Sequence, residues 1–293
     1  MFIDIHVHAC KTATTAFCGR QVCSTPEQIL PIYEEHEIES GVVLPIVSPE
    51  CTLLPQSNEE ILELCQMHPG RLVPFCNLDP RAFTNSPTAP LREALEYYRD
   101  RGCRGIGEVT ANLPFNDAKV ENLFAAVQEV GFPLIFHVAP MAGNCYGLID
   151  ESAGLPLLEN ALRRFPKLIF IGHSPGFWTE IARLEKPGDR MAYPKYPVRE
   201  EGVVPKLMRD YENLHGDLSA GSGYNALARD PEYAVRFLNE FQDRLYYGTD
   251  ICAPRMPSPL DRFLLDLRAQ GGISEEVFGK VARENARRLL GLA

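Results

Sequence analysis

Residues 2–8 read FIDIHVH, an apolar run rich in β-branched residues that is typical of a buried β-strand. Seven further apolar runs follow along the chain. The eight runs begin at Phe2, Gly41, Leu72, Cys103, Pro133, Lys167, Asn213 and Arg244. Their starts are 30 to 46 residues apart, which leaves room for a strand, a helix and two loops in each interval.

Helical signals fill the intervals between these runs. Residues 25–28 and 57–60 fit capping boxes, and a last helix is predicted over residues 275–290. Pro31 argues against a regular helix in the first interval. Apolar strands that alternate with amphipathic helices predict a parallel sheet covered on its faces. We therefore expect an α/β protein: one domain over residues 1–293, built as a single (β/α)8 TIM barrel with a C-terminal helix.

Composition restricts the classes of function. The 293 residues are 45% hydrophobic and 23% charged, as in an ordinary globular protein, and the net charge is −10. Such a charge disfavours nucleic acids and anionic membranes as partners, so a small-molecule substrate is expected. Nine cysteines without a CxxC motif favour reduced thiols, and no membrane span or signal peptide is visible. The cytoplasm is therefore the expected location. Whether the protein forms a homodimer is left open.

Polar residues lie where the predicted strands end. Side chains at the carboxyl ends of barrel strands converge on one opening of the barrel, where the active sites of this fold occur. In a strand, residues two apart point to the same face. His6 and His8 can therefore supply two nitrogen ligands to one ion. The residues at these ends are His6, His8, Glu108, His137, His173 and Asp250. Imidazole and carboxylate are the ligands that Zn²⁺, and often Mn²⁺ or Fe²⁺, prefer.

Each of these residues also has an ordinary interpretation. A single buried histidine is more often a hydrogen-bonded core residue than a ligand, and an aspartate at a strand end can cap the next helix. Glu108 could bridge a second metal or bond backbone N–H groups at the barrel rim. Asp217 is expected to support the site by hydrogen bonding. The joint placement at strand ends favours a functional site.

The motifs together resemble a known family. They are IDIHVH at residues 3–8, IGHSPG at 171–176, GDLSA at 216–220, YGTD at 247–250 and ENARRLL at 284–290. The chain resembles the amidohydrolase superfamily, and within it the amidohydrolase-related (amidohydrolase 2) metal-dependent hydrolases, a branch that also contains decarboxylases. The resemblance implies one divalent metal held by His6, His8, His137 and Asp250, with His173 near the reacting group.

One further motif bears on the number of metal ions in the site. GIGEV at residues 105–109 is similar to the TatD-type pattern, in which a glutamate bridges two metals. One Zn²⁺ is the favoured cofactor, Mn²⁺ or Fe²⁺ are alternatives, and a second metal through Glu108 stays open.

This set of residues can perform hydrolysis. A divalent metal lowers the pKa of bound water from about 15.7 to about 7. Asp250 can accept a proton from that water, and His173 can donate to the carbonyl oxygen of the substrate. We expect a hydrolase for an amide, lactone or ester bond. A metal-dependent non-oxidative decarboxylase is the first alternative, and a TatD-like nuclease or phosphoesterase, which the negative charge disfavours, is the second.

Loops after the strands suggest the substrate. Arg20 and Arg255 could bind a carboxylate, while Tyr146 and Trp178 could flank a ring. These four residues are predicted to bind a small carboxylated or cyclic organic compound.

Overall fold

Eight parallel strands correspond to the eight predicted runs. The computed structural model describes residues 1–15, 21–52, 54–254 and 259–292. The strands are β1 (Phe2–Val7), β2 (Ile38–Val43), β3 (Leu72–Pro74), β4 (Ile106–Val109), β5 (Leu134–Ala139), β6 (Phe170–His173), β7 (Leu214–Asp217) and β8 (Leu245–Tyr246). Every pair formed between two of them is parallel.

The strands follow one another around a barrel. Strands β1 to β3 form one sheet and β4 to β8 form a second. Parallel bridges join the two sheets on both sides, between Cys76 and Ile106 and between Val7 and Ile251. Near the second bridge, the Ile5 N–H donates to the Tyr247 carbonyl over 3.0 Å. The TIM barrel predicted from the sequence is confirmed.

Helices connect the strands and cover the outside of the barrel. They are α1 (Pro26–Glu35), α2 (Asn58–Met67), α3 (Leu91–Arg99), α4 (Ala118–Val130), α5 (Pro156–Arg164), α6 (Pro175–Trp178), α7 (Val203–Asp210), α8 (Ala220–Ala228), α9 (Pro231–Glu240), α10 (Leu260–Ala269), α11 (Glu275–Gly279) and α12 (Asn285–Leu290). Short 3₁₀ turns span Thr179–Ile181 and Pro187–Met191, and a π-helix, Lys280–Glu284, joins α11 to α12. No helix among the described residues is long and apolar enough to cross a bilayer.

Short strands and caps complete the loops. Thr14–Thr15 pairs with Gln21–Cys23 in antiparallel fashion, and Leu148–Ile149 pairs in parallel with the last residues of β5. The Ser57 hydroxyl accepts a hydrogen bond from the Glu60 N–H, as the capping box predicts. The expectation drawn from Pro31 was wrong, because α1 runs through it. Pro31 is exposed, so water can satisfy the carbonyl that its missing N–H leaves unpaired.

The C-terminal helix closes the amino-terminal end of the barrel. Ala286 and Leu290 pack against an apolar cluster on the inner faces of the strands, which includes Ile3, Ile135 and Ile171. The Asn285 side-chain amide donates to the Leu245 carbonyl over 2.9 Å and also to the Gln242 carbonyl. This apolar end leaves the carboxyl ends of the strands as the open side.

The barrel interior leaves no room for a side chain at Gly105. A Cβ there would overlap the ring of Phe75. Gly105→Ala is therefore expected to lower the free energy of unfolding by about 1–3 kcal/mol, as overpacking does. Gly279 is the control, because it is helical and a Cβ there would meet nothing within 4 Å. Gly279→Ala should raise the free energy of unfolding slightly, by less than about 1 kcal/mol. Urea unfolding measures both variants, and equal midpoints would contradict this packing.

Candidate active site

The end of β1 brings two imidazoles together. The Nε2 atoms of His6 and His8 lie 3.0 Å apart. His6 Nδ1 is 2.6 Å from Asp217 Oδ2, and His8 Nδ1 is 2.9 Å from the Leu44 carbonyl oxygen. The register between β1 and β2 shifts between Asp4 and Val7. Ile3 and Ile5 face the barrel interior, so strict alternation along the strand would turn His6 and His8 outward. We attribute the inward orientation of the two histidines to this irregularity.

The hydrogen-bond partners of the Nδ1 atoms fix which nitrogen of His6 and of His8 carries a hydrogen. A carbonyl oxygen only accepts, so His8 Nδ1 carries the hydrogen that it donates to Leu44. Burial opposes ionisation of Asp217, yet the positive charges of His6 and His173 hold its pKa well below the usual range. Ionised Asp217 therefore accepts a hydrogen from His6 Nδ1. Neutral His6 and His8 would then point two lone pairs at each other, so a proton or a metal ion between them is required.

Two carboxylates approach the imidazole pair. Asp250 Oδ1 lies 3.4 Å from Nε2 of both His6 and His8. Glu108 Oε2 lies 3.8 and 3.7 Å from the same two nitrogens. His173 Nε2 lies 3.9 Å from Asp250 Oδ2 and 3.9 Å from Glu108 Oε1. Two sets of three residues therefore have donor atoms close enough to share an ion: His6, His8 and Glu108, and His6, His173 and Asp250.

His137 occupies a different position from the other predicted ligands. Its ring centre lies 4.6 Å from that of Tyr146 and 5.8 Å from that of His173. It belongs to neither of the two sets, although it lines the same cavity. Burial lowers its pKa to about 4, so the ring is neutral and its nitrogen can act as a ligand. Its role as a metal ligand stays a prediction.

The charges alternate in sign across the site. Burial lowers the pKa of His6, but Asp217 and Asp250 outweigh it and raise that pKa to about 10. Burial raises the pKa of Asp250, but the neighbouring histidines, His6 foremost, bring it down to about 2. The His173 pKa is raised because Asp217 outweighs the effect of burial. A cation shared by these groups can replace the proton on His6.

The residues fit a divalent metal. Imidazole nitrogen and carboxylate oxygen are the donors that Zn²⁺ takes. Within the described part of the chain, Glu108 Oε1 and His137 Nδ1 are buried and have no hydrogen-bond partner. Buried polar atoms without partners are costly. Coordination at this site would give such atoms a partner.

Sequence reasoning missed Asp4 and Thr249, which support the site from behind. Asp4 Oδ1 accepts from the backbone N–H groups of His6 (3.0 Å) and Thr249 (2.8 Å). Its other oxygen accepts from the hydroxyls of Thr249 and Tyr33. The two bonds from Thr249 hold the turn in which Asp250 takes a φ of 56°. A charged residue within an otherwise apolar strand was the available signal.

A cavity of about 840 Å³ opens above these groups. His8, Glu108, His137, His173 and Asp250 line it. Tyr146 lines it as well, as expected for a residue that contacts substrate.

Trp178 does not fit its predicted role. It is buried in the core, it does not line the cavity, and its indole N–H donates to the Asp217 carbonyl over 2.7 Å. The prediction that Trp178 contacts substrate was wrong, because the chain turns into α6 directly after β6 and carries the indole inward. Trp178 instead packs beside β7, against Gly216. Arg20 and Arg255 lie outside the described residues.

Comparison with known proteins identifies the family. The amidohydrolase family profile matches residues 3–292. The chain belongs to the amidohydrolase family. It is accordingly an enzyme of the amidohydrolase superfamily, a group that is generally metal-dependent, and its histidines and carboxylates include sets that could hold a metal. No curated protein is significantly similar to this amidohydrolase in sequence.

Solved structures share the fold of this amidohydrolase. 5-Carboxyvanillate decarboxylase from Sphingomonas paucimobilis is 18% identical, with a TM-score of 0.63 over 100% of this chain and 99% of that one. A putative 2-pyrone-4,6-dicarboxylic acid hydrolase from Pseudomonas putida is 17% identical, with a TM-score of 0.62 over 99% and 97%. 2,6-Dihydroxybenzoate decarboxylase from Rhizobium is 17% identical, with a TM-score of 0.61 over 99% and 98%. At these identities the likeness shows the fold.

Removal of one imidazole should empty the metal centre. His8→Ala is expected to weaken zinc affinity by more than about 100-fold, beyond the effect usual for residues that only orient a ligand. Elemental analysis after dialysis measures the metal content. His36→Ala is the control, because His36 pairs with Asp261 away from the cavity. Equal metal content in the two variants would contradict this assignment.

Loss of the Asp217 charge should loosen the same centre. Asp217→Asn removes the anion that orients His6 and His173, so we expect zinc affinity to fall about 10- to 100-fold. Chelator competition measures the affinity. Asp150→Asn is the matched control, since Asp150 is an equally buried carboxylate whose bonds go to the backbone of Leu157 and Leu158. An unchanged affinity in Asp217→Asn would argue against this role.

Proposed function

We propose that this enzyme is a metal-dependent hydrolase that cleaves an amide, lactone or ester bond of a small organic compound. The observation that carries the proposal is the meeting of Asp250 and His173 at the cavity, with Asp250 Oδ2 3.9 Å from His173 Nε2. Asp250 is an ionised carboxylate and His173 a hydrogen-bond donor. A general base and a hydrogen-bond donor beside each other suit the attack of water on a carbonyl group.

His6, His8 and Asp250 would hold the metal, with His137 and Glu108 as further ligands. Their donor atoms favour one Zn²⁺, with Mn²⁺ or Fe²⁺ as alternatives. When bound, a divalent metal supplies Lewis-acid polarisation of a carbonyl and lowers the pKa of water.

The two oxygens of Asp250 have different surroundings. Oδ1 faces the imidazole pair, while Oδ2 faces His173. In our proposal Asp250 accepts a proton from the attacking water and delivers it to the leaving group. A pKa of about 2 keeps this carboxylate ionised at neutral pH.

His173 would stabilise the charge that develops on the substrate. Its Nδ1 lies 3.1 Å from Asp217 Oδ2 and 3.1 Å from the Ser219 hydroxyl. These contacts fix the ring so that Nε2 points into the cavity. Because Nδ1 donates its hydrogen to Asp217, Nε2 carries a hydrogen only in the imidazolium form, which the raised pKa of His173 favours. From there Nε2 can donate a hydrogen bond to the carbonyl oxygen as negative charge builds up.

Decarboxylation is the second candidate. It is favoured by the names of two structures that share the fold, 5-carboxyvanillate decarboxylase and 2,6-dihydroxybenzoate decarboxylase. The same residues would serve: His173 would polarise the substrate, and Asp250 would handle the proton. The carboxylated substrate expected from the sequence depends on Arg20 and Arg255, which lie outside the described residues.

A substrate screen separates these reactions. Protein loaded with zinc, manganese or iron is incubated with lactones, esters, amides, aromatic carboxylates and a generic phosphodiester, with and without chelator. Chelator-sensitive hydrolysis of a carbonyl compound supports the proposal. Release of CO₂ without hydrolysis would replace it with the decarboxylase, and cleavage of the phosphodiester alone with the phosphoesterase.

Variants at the acid–base pair should lose activity on any substrate found. Asp250→Asn and His173→Asn are each expected to lower kcat by about 10²- to 10⁴-fold, the usual contribution of general acid–base catalysis. His36→Asn, far from the cavity, should retain the wild-type kcat. Steady-state kinetics measures all three, and a loss of less than about tenfold in both active-site variants would exclude these roles.

A further inference from the structure

Exposed apolar side chains surround the opening of the cavity. Ten large hydrophobic residues in the described part of the chain are exposed, and five of them line this one cavity. The five, which we call the apolar rim, are Val22, Leu54, Tyr146, Met191 and Tyr193. Their exposed fractions range from 38% to 54%. Single exposed hydrophobics are ordinary on protein surfaces, but a group of them around one opening marks a binding site.

The apolar rim is assembled from four separate loops. Val22 lies in the short strand after β1, Leu54 follows β2, and Tyr146 follows β5. Met191 ends the 3₁₀ turn after β6, and Tyr193 lies two residues further on. All four loops leave the carboxyl ends of barrel strands, so the rim is continuous with the cavity that holds the histidines.

The charges that line the cavity are already paired or belong to the inner cluster. Glu108 and Asp250 face the histidines. Glu50 forms a bidentate pair with Arg81, at 2.7 and 3.0 Å. No lysine or arginine occurs among the described lining residues. Within the described lining, the outer part of the cavity therefore offers more apolar than polar surface to a ligand.

The cavity is large for a single ring. Its volume of about 840 Å³ lies towards the upper end of the roughly 300–1,000 Å³ typical of ligand pockets. A one-ring carboxylic acid would leave most of it to water, and the rim would stay exposed.

We infer that the substrate carries an extended apolar portion, an alkyl or aryl chain, that lies against Leu54, Met191 and Tyr193 while its reacting bond lies beside His173 and Asp250. This inference rests on the proposed function for the position of the reacting bond. It assigns the rim residues to substrate selection: a longer apolar chain buries more surface and binds more tightly.

Binding of a matched ligand series tests the inference without turnover. Straight-chain hydroxamic acids, from acetohydroxamic to octanohydroxamic acid, are titrated by calorimetry into the full chain loaded with zinc. The dissociation constant is expected to fall by about two- to fourfold with each added methylene. Leu54→Ser combined with Met191→Ser should flatten this dependence. Met67→Ser is the control, because Met67 is 59% exposed and does not line the cavity, and it should keep the wild-type dependence.

Several results would overturn the inference. They are a dissociation constant that does not change with chain length, no binding at any length, or the same dependence in the rim variant as in the wild type. Light scattering is measured in parallel. A dimer that the rim variant dissociates would also overturn it, since a second copy would then cover the rim. If the chain-length dependence holds but no carbonyl compound is hydrolysed, the proposed function fails and the apolar site remains.

Discussion

Two imidazole nitrogens 3.0 Å apart inside a protein repel each other unless a positive charge lies between them, and the rest of this site depends on that constraint. Asp217 and the Leu44 carbonyl hold the outer nitrogens of His6 and His8, so neither ring can turn away. Asp250 approaches both inner nitrogens equally, at 3.4 Å. The groups therefore surround a position where a cation is favoured.

The barrel keeps this arrangement rigid by dividing its interior into two ends. One end is apolar and is closed by the C-terminal helix, which packs through Ala286 and Leu290. At the other end, Asp4 joins β1 to the turn that carries Asp250 through two hydrogen bonds from Thr249, and it also accepts from the His6 N–H and the Tyr33 hydroxyl. Burial raises the pKa of Asp4 to about 6, although these bonds oppose it. Formation of the polar end therefore costs free energy of folding, which is usual for a catalytic site.

Much of the fold could be predicted, because strands buried on both faces leave a clear pattern of apolar runs. The approach of His6, His8, Glu108, Asp250 and His173 also followed from strand ends that share one edge. Other features depend on tertiary contacts. The inward turn of Trp178 cannot be predicted from an aromatic residue in a loop. The bonds of Asp4 need Thr249, which is 245 residues away in sequence, and the position of His137 beside Tyr146 depends on how the loop after β5 folds back.

X-ray absorption spectroscopy of the zinc-loaded protein is the most direct test of this account. The spectrum should show only nitrogen and oxygen neighbours at about 2.0–2.2 Å, with the multiple scattering of at least two imidazoles. Cys51, Cys145 and Cys252 line the same cavity and offer a competing kind of site. A sulfur neighbour at about 2.3 Å would place the ion on these thiolates and contradict the central role of His6 and His8.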